Sequence, residues 1–146
     1  MAFWNWEPGL NTGIDVIDAQ HQRIVDYVNQ LDEIGVENTD RAKLGEILDS
    51  LIDYTYSHFA FEEGLMEQAN YKYLKAHIKI HDSFRQRVEG LRHRFELGED
   101  VSLILKSELK IWLVNHIKVD DKFYVPSVEN NVNPGWIAKT LKLIFG

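Results

Sequence analysis

Apolar side chains recur every three or four residues along four long stretches of this sequence, with polar residues filling the positions between them. In the first stretch Ile17, His21, Ile24, Val28 and Leu31 keep that alternation, and in the second Leu44, Leu48, Leu51, Thr55, His58, Glu62 and Leu65 do the same. The third runs through Leu74, His77, His81, Phe84, Val88, Leu91 and Phe95, and the fourth through Leu105, Leu109, Trp112, His116, Val119 and Phe123. Spacing of this kind lines one side of an α-helix with apolar groups, which must then be buried against other helices. The punctuation agrees. The three prolines, Pro8, Pro126 and Pro134, lie near the ends, so more than a hundred central residues run without a proline, which suits long helices. Between the stretches, Gly35 with Thr39 or Asp40, the QANY at 68–71, and Gly98 with Asp100 or Ser102 supply stop and start signals. The pattern predicts helices over about 15–36, 40–68, 71–97 and 101–125, with a tail over 126–146. The expected architecture is all-α, an antiparallel up-down-up-down four-helix bundle in a single domain spanning 1–146, with an N-terminal arm and a short C-terminal helix.

Five of the six histidines, His21, His58, His77, His81 and His116, fall on these seams; His93 alone lies off them, as surface. One buried histidine is unremarkable when it finds a hydrogen-bond partner. Five of them joined by Glu62 would cost a bundle core several kcal/mol unless something bound them together. Residues four apart on a helix differ by about 40° around its axis, so His77 and His81 can grip one ion, as can His58 and Glu62. His21 and His116 come singly from the other two helices. The chain has no cysteine, which excludes thiolate sites and disulfides. An imidazole-rich set with few carboxylates suits neither a closed zinc site nor magnesium or calcium, and two iron ions fit it best.

Composition narrows the setting. A formal charge of -7 with scattered basic residues argues against a nucleic-acid partner. The N-terminus lacks the layout of a secretion signal, and no apolar run approaches the roughly 18 residues of a membrane span, so a cytoplasmic location is expected. Trp4 and Trp6 in the arm are expected to pack across the bundle end. In the tail, Trp136, Ile137, Leu141, Ile144 and Phe145 form one broad helix face, for which docking on the domain is favoured over contact with a membrane or an oxygen-consuming protein.

The motifs DAQHQ (His21), HFAFE (His58 to Glu62), HIKIH (His77 to His81) and WLVNHIKVDD (His116 to Asp121) reproduce, in order and spacing, the seven-ligand pattern of the hemerythrins, and over residues 4–125 the chain resembles the stand-alone bacterial members of that family. The resemblance implies a non-haem di-iron centre with an oxo or hydroxo bridge, held by His21, His58, Glu62, His77, His81, His116 and Asp121. It further implies that His77, His81 and His116 complete one iron, leaving an open position on the iron held by His21 and His58. The implied function is reversible binding, storage and delivery of dioxygen rather than catalysis. The alternatives are oxygen or redox sensing, and peroxidase or nitric-oxide scavenging activity. Ile24, Phe59, Trp112, Leu113 and Ile117 would form the oxygen pocket, and Tyr124 is a further pocket position. One ligand is disputed between two readings. On a regular helix Asp120, four residues beyond His116, faces the seam, whereas Asp121 lies about 140° away. The family pattern prefers Asp121, which a local i→i+5 turn would rotate inward, leaving Asp120 in solvent or supporting the site.

Overall fold

A computed structural model describes residues 2–37 and 41–146. The chain forms α1 (Asp15–Glu37), α2 (Arg41–Gln68), α3 (Leu74–Glu96), α4 (Ser102–Asn115), a π-helical turn (His116–Asp121), α5 (Lys122–Asn131) and α6 (Pro134–Phe145), preceded by a short 3-10 turn at Pro8–Leu10. No strand occurs among the described residues. The first four helices form the antiparallel bundle, with α1 packed on α2 and α4, and α2 on α3. Across the remaining side, Phe84 of α3 stacks on Trp112 of α4 at 4.1 Å, and Arg87 makes a two-pronged ion pair with Glu108 at 2.7 Å.

Local chemistry accounts for the helix ends. Asn70 sits in the left-handed region at φ 54°, and the Tyr71 amide reaches back to the Met66 carbonyl at 2.9 Å, closing α2 as a glycine would. The turn takes up residues 69–73, so α3 begins at Leu74, past the expected 71. Gly98, at φ 104°, ends α3, and Asp100 Oδ1 accepts from the Ser102 amide at 3.0 Å and from its hydroxyl at 2.7 Å to start α4. At the first loop α1 continues past Gly35 to Glu37, while the expected caps Thr39 and Asp40 lie outside the described residues.

Three expectations need correction. Val119 and Phe123 are not in the core but 54% and 67% exposed. The π-helical turn inserts an extra residue per turn, so beyond His116 the buried positions become Asp121, Tyr124 and Val128, one step out of phase with the seam read from the sequence. The fourth helix also runs on to Asn131 with Pro126 inside it, rather than stopping near 125. The N-terminal arm lies along the flank between α1 and α4 rather than across the bundle end. The Trp4 amide donates to Asn29 Oδ1 and the Asn29 amide returns a bond to the Trp4 carbonyl, both at 2.8 Å, while Lys110 bonds the Phe3 carbonyl at 3.3 Å. Trp4 is buried there and Trp6 partly so. The C-terminal helix docks on α2, as its apolar face suggested, with Phe145 against Tyr54 at 5.3 Å and Trp136 close over Gly64. Among the described residues no helix is long and apolar enough to cross a membrane.

The core is in two parts. One cluster holds Ile24, Val28, Leu31, Leu51, Phe59, Phe84, Leu109, Leu113 and Ile117, and the other Ile17, Phe61, Leu65, Met66, Tyr124 and Val128. Along α1, α2 and the α4–α5 helix the polar seam residues fall between the two.

Candidate metal centre

His58 and Glu62 project from successive turns of α2, His77 and His81 from successive turns of α3, His21 from α1 and His116 from the end of α4. All five imidazoles and Glu62 are buried, as is Asp121. Glu62 Oε1 lies 3.3 Å from both His58 Nε2 and His81 Nε2. Asp121 reaches His77 Nε2 at 3.2 Å and His116 Nε2 at 3.0 Å through Oδ1, and His21 Nε2 at 3.3 Å through Oδ2. The donor atoms converge in two groups, one of Glu62, His77, His81, His116 and Asp121, the other of His21, His58 and Glu62, the atoms of each lying within 4.8 Å of one another.

Asp121 faces the centre because of the π-helical turn. An i→i+5 step carries it onto the face that His116 occupies, which a regular helix would give to Asp120. Asp120 instead accepts a hydrogen bond from the outer nitrogen of His116, Nδ1, at 3.0 Å and stays 30% exposed. The rotation that brings one carboxylate in thus places its neighbour behind the same imidazole.

The outer nitrogens identify the proton positions. Glu63 accepts from His81 Nδ1 at 2.7 Å, and Gln20 Oε1 accepts from His58 Nδ1 at 2.6 Å. Carboxylate and amide oxygens only accept, so Nδ1 carries hydrogen in His58, His81 and His116, and in a neutral ring Nε2 is then a bare lone pair. Two such lone pairs, on His81 and His116, face each other at 3.0 Å. His21 Nε2, His58 Nε2, His77 Nε2, Glu62 Oε1 and both Asp121 oxygens have no hydrogen-bond partner. Each buried polar atom left so costs about 1–3 kcal/mol, which a cation between them removes. The donor set therefore fits bound metal, and Glu62, common to both groups, fits a pair of ions.

Electrostatics point the same way. Burial alone pushes a carboxyl up, yet His58 and His81 hold Glu62 well below the usual carboxylate range, and His116 and His21 do the same for Asp121. Burial lowers His58, whereas His116, also buried, is raised to about 10 by Asp121 and Asp120. Tyr124 donates to Glu62 Oε2 at 2.6 Å, and burial together with that carboxylate raises its phenol well above the ordinary value.

Of the residues expected to form an oxygen pocket, Ile24, Phe59, Leu113 and Ile117 are fully buried beside the centre in one apolar cluster. Phe59 lies flat on His81 with centroids 4.0 Å apart, and Trp112 on His116 at 4.3 Å. These two rings therefore cover imidazoles of the larger group. Trp112 is only partly buried and, with His116 and Asp120, lines a surface groove of about 440 Å³. Gln20 and Glu63 escaped the sequence reading. Each adjoins a seam residue, but nothing in its spacing marks it as the partner of a histidine on another helix.

Residues 12–128 match the family model "Hemerythrin HHE cation binding domain". The chain is 45% identical to "Bacteriohemerythrin" of Stenotrophomonas maltophilia, with all of both chains covered, and 35% identical to "Bacteriohemerythrin" of Methylococcus capsulatus over 86% of this chain and 97% of that one. A crystal structure of wild-type hemerythrin superimposes with a TM-score of 0.81 at 33% identity, covering 87% of this chain and 98% of the other.

Proposed function

The chain belongs to the hemerythrin family, and from that premise we propose that it binds dioxygen reversibly, for storage and delivery, at two iron ions held by His21, His58, Glu62, His77, His81, His116 and Asp121. The observation that carries this reading is the convergence of five buried imidazoles and two carboxylates whose inward atoms lack partners. Iron bound there would supply electrons to dioxygen and recover them on release.

The side chains do the rest. Gln20, Glu63 and Asp120 hold Nδ1–H of His58, His81 and His116, fixing each ring so that Nε2 points inward. Tyr124 holds its proton against Glu62 Oε2 and so fixes the carboxylate that both groups share. Di-iron bundles that oxidise substrates carry several glutamates and two Glu-x-x-His pairs, whose anionic oxygens favour high oxidation states. Neutral imidazoles dominate here, which favours ferrous iron and reversible binding over catalysis. Ile24, Leu113 and Ile117 exclude water from one side of the centre, limiting the protons that would make oxygen binding irreversible.

The test is iron content together with the visible spectrum of the anaerobically reduced protein, then in air, then under argon. Two irons per chain and a charge-transfer band that appears with air and disappears on purging support a carrier. A stable ferric spectrum points to sensing or enzymatic chemistry, and absence of iron refutes the reading.

A further inference from the structure

We infer that the two halves of the centre hold their ions unequally, the His77, His81 and His116 half retaining its ion while the His21 and His58 half exchanges its own, because carboxylates stand behind the first and an amide behind the second. This rests on the two-ion reading above.

Glu62 and Asp121 reach into both halves, so they do not separate them. The outer partners do. Behind His81, Glu63 accepts at 2.7 Å and is itself fixed by Arg85 at 2.7 Å, and Arg85 is tied to Asp82 at 2.5 Å. Behind His116, Asp120 accepts at 3.0 Å. A carboxylate that accepts from Nδ1–H draws the proton toward itself and makes the opposite nitrogen a stronger donor to a cation. In the other half the acceptor behind His58 is the uncharged Gln20, whose own Nε2 is buried without a partner. His21 has no hydrogen-bond partner behind it among the described residues: Nδ1 is buried and unpaired, and its ring packs edge-on against His58 at 4.6 Å and along the partly buried indole of Trp6 at 6.4 Å. That half therefore has two imidazoles against three, neither charge-assisted, and one of them unanchored. Surface approach does not separate the halves, since Gln20 lines a crevice of about 700 Å³ beside α6 and His116 lines the groove on the other side. Gln20 and Glu63 are thus positioning residues that grade the hold on each ion.

The experiment challenges the iron-loaded full chain, reduced and free of oxygen, with excess 2,2′-bipyridine and follows the coloured ferrous chelate. Two phases of equal amplitude are expected. Gln20→Glu, nearly isosteric, should slow the fast phase about tenfold or more and leave the slow one alone, while Glu63→Gln should quicken the slow phase by a similar factor. Circular dichroism establishes that each variant is folded, and if Glu63→Gln is not, Gln20→Glu decides alone. A single release phase in the parent protein, or a Gln20→Glu effect confined to the slow phase, overturns the inference. If the protein holds two irons and takes up dioxygen reversibly but releases both irons together, the inference fails and the proposed function stands; if it holds no iron pair, both fall.

Discussion

Tyr124 donates its phenolic hydrogen to Glu62 Oε2 across 2.6 Å, and both side chains are completely buried. The bond joins α5 to α2 beneath the metal-binding layer and gives the shared carboxylate its only neutral donor among the described residues. Tyr124→Phe removes the oxygen without changing shape. The loss should be about 1.5–3 kcal/mol in urea unfolding of the iron-loaded protein, as for a buried bond to a charged group, with iron content unchanged.

Asp120 and Asp121 are neighbours in sequence with opposite assignments. Asp121→Ala should leave the chain with fewer than two irons by elemental analysis. Asp120→Asn keeps an acceptor for His116 Nδ1 and should retain both. Equal losses in the two variants would contradict the inward rotation of Asp121 by the π-helical turn.

Ile117 is fully buried next to His116. Ile117→Val should cost about 0.5–1.5 kcal/mol in stability and should hasten the spontaneous decay of the oxygenated spectrum to the ferric one, because the lost methylene admits water. An unchanged decay rate would remove the apolar packing from the account of reversibility.

Asp100 lies just before the first turn of α4, and the hydrogen bonds it receives from the Ser102 hydroxyl and amide hold its carboxyl below the ordinary range. Its folded value is depressed, so its contribution is complete above the unfolded value and is lost as pH falls through the folded one. Asp100→Ala should cost about 1 kcal/mol near neutral pH. The gap to the parent protein, followed by thermal unfolding, should close in the acid range.

Much of this molecule could be read from spacing alone. A pair of histidines at i and i+4 on one helix and a histidine with a glutamate at the same spacing on another, in seams otherwise apolar, call for a shared ligand on energetic grounds, and the buried cluster of His21, His58, His77, His81 and His116 is the arrangement that spacing implies. What escaped was whatever depends on a departure from regular geometry or on partners distant in sequence. Val119 and Phe123 fit a regular seam and yet are exposed, since one inserted residue shifts the phase; the clue lay in Tyr124 and Val128, which continue the shifted pattern. The arm's course depends on the paired bonds between Trp4 and Asn29, 25 residues apart, which no local pattern encodes. Gln20 and Glu63 are ordinary polar helix residues until a neighbouring helix sets a histidine against them.

The two apolar clusters on either side of the polar layer bear on how this chain unfolds. What joins them across the bundle's middle is a layer of rings and carboxylates, several of whose inward atoms have no hydrogen-bond partner. Ions held there would therefore couple the two clusters mechanically as well as forming a chemical centre. With them bound, the bundle should melt as one cooperative unit; with them stripped, the half near α6 and the half near the start of α4 are free to loosen at different temperatures, and hydrogen exchange would separate into two domains of protection within a single fold.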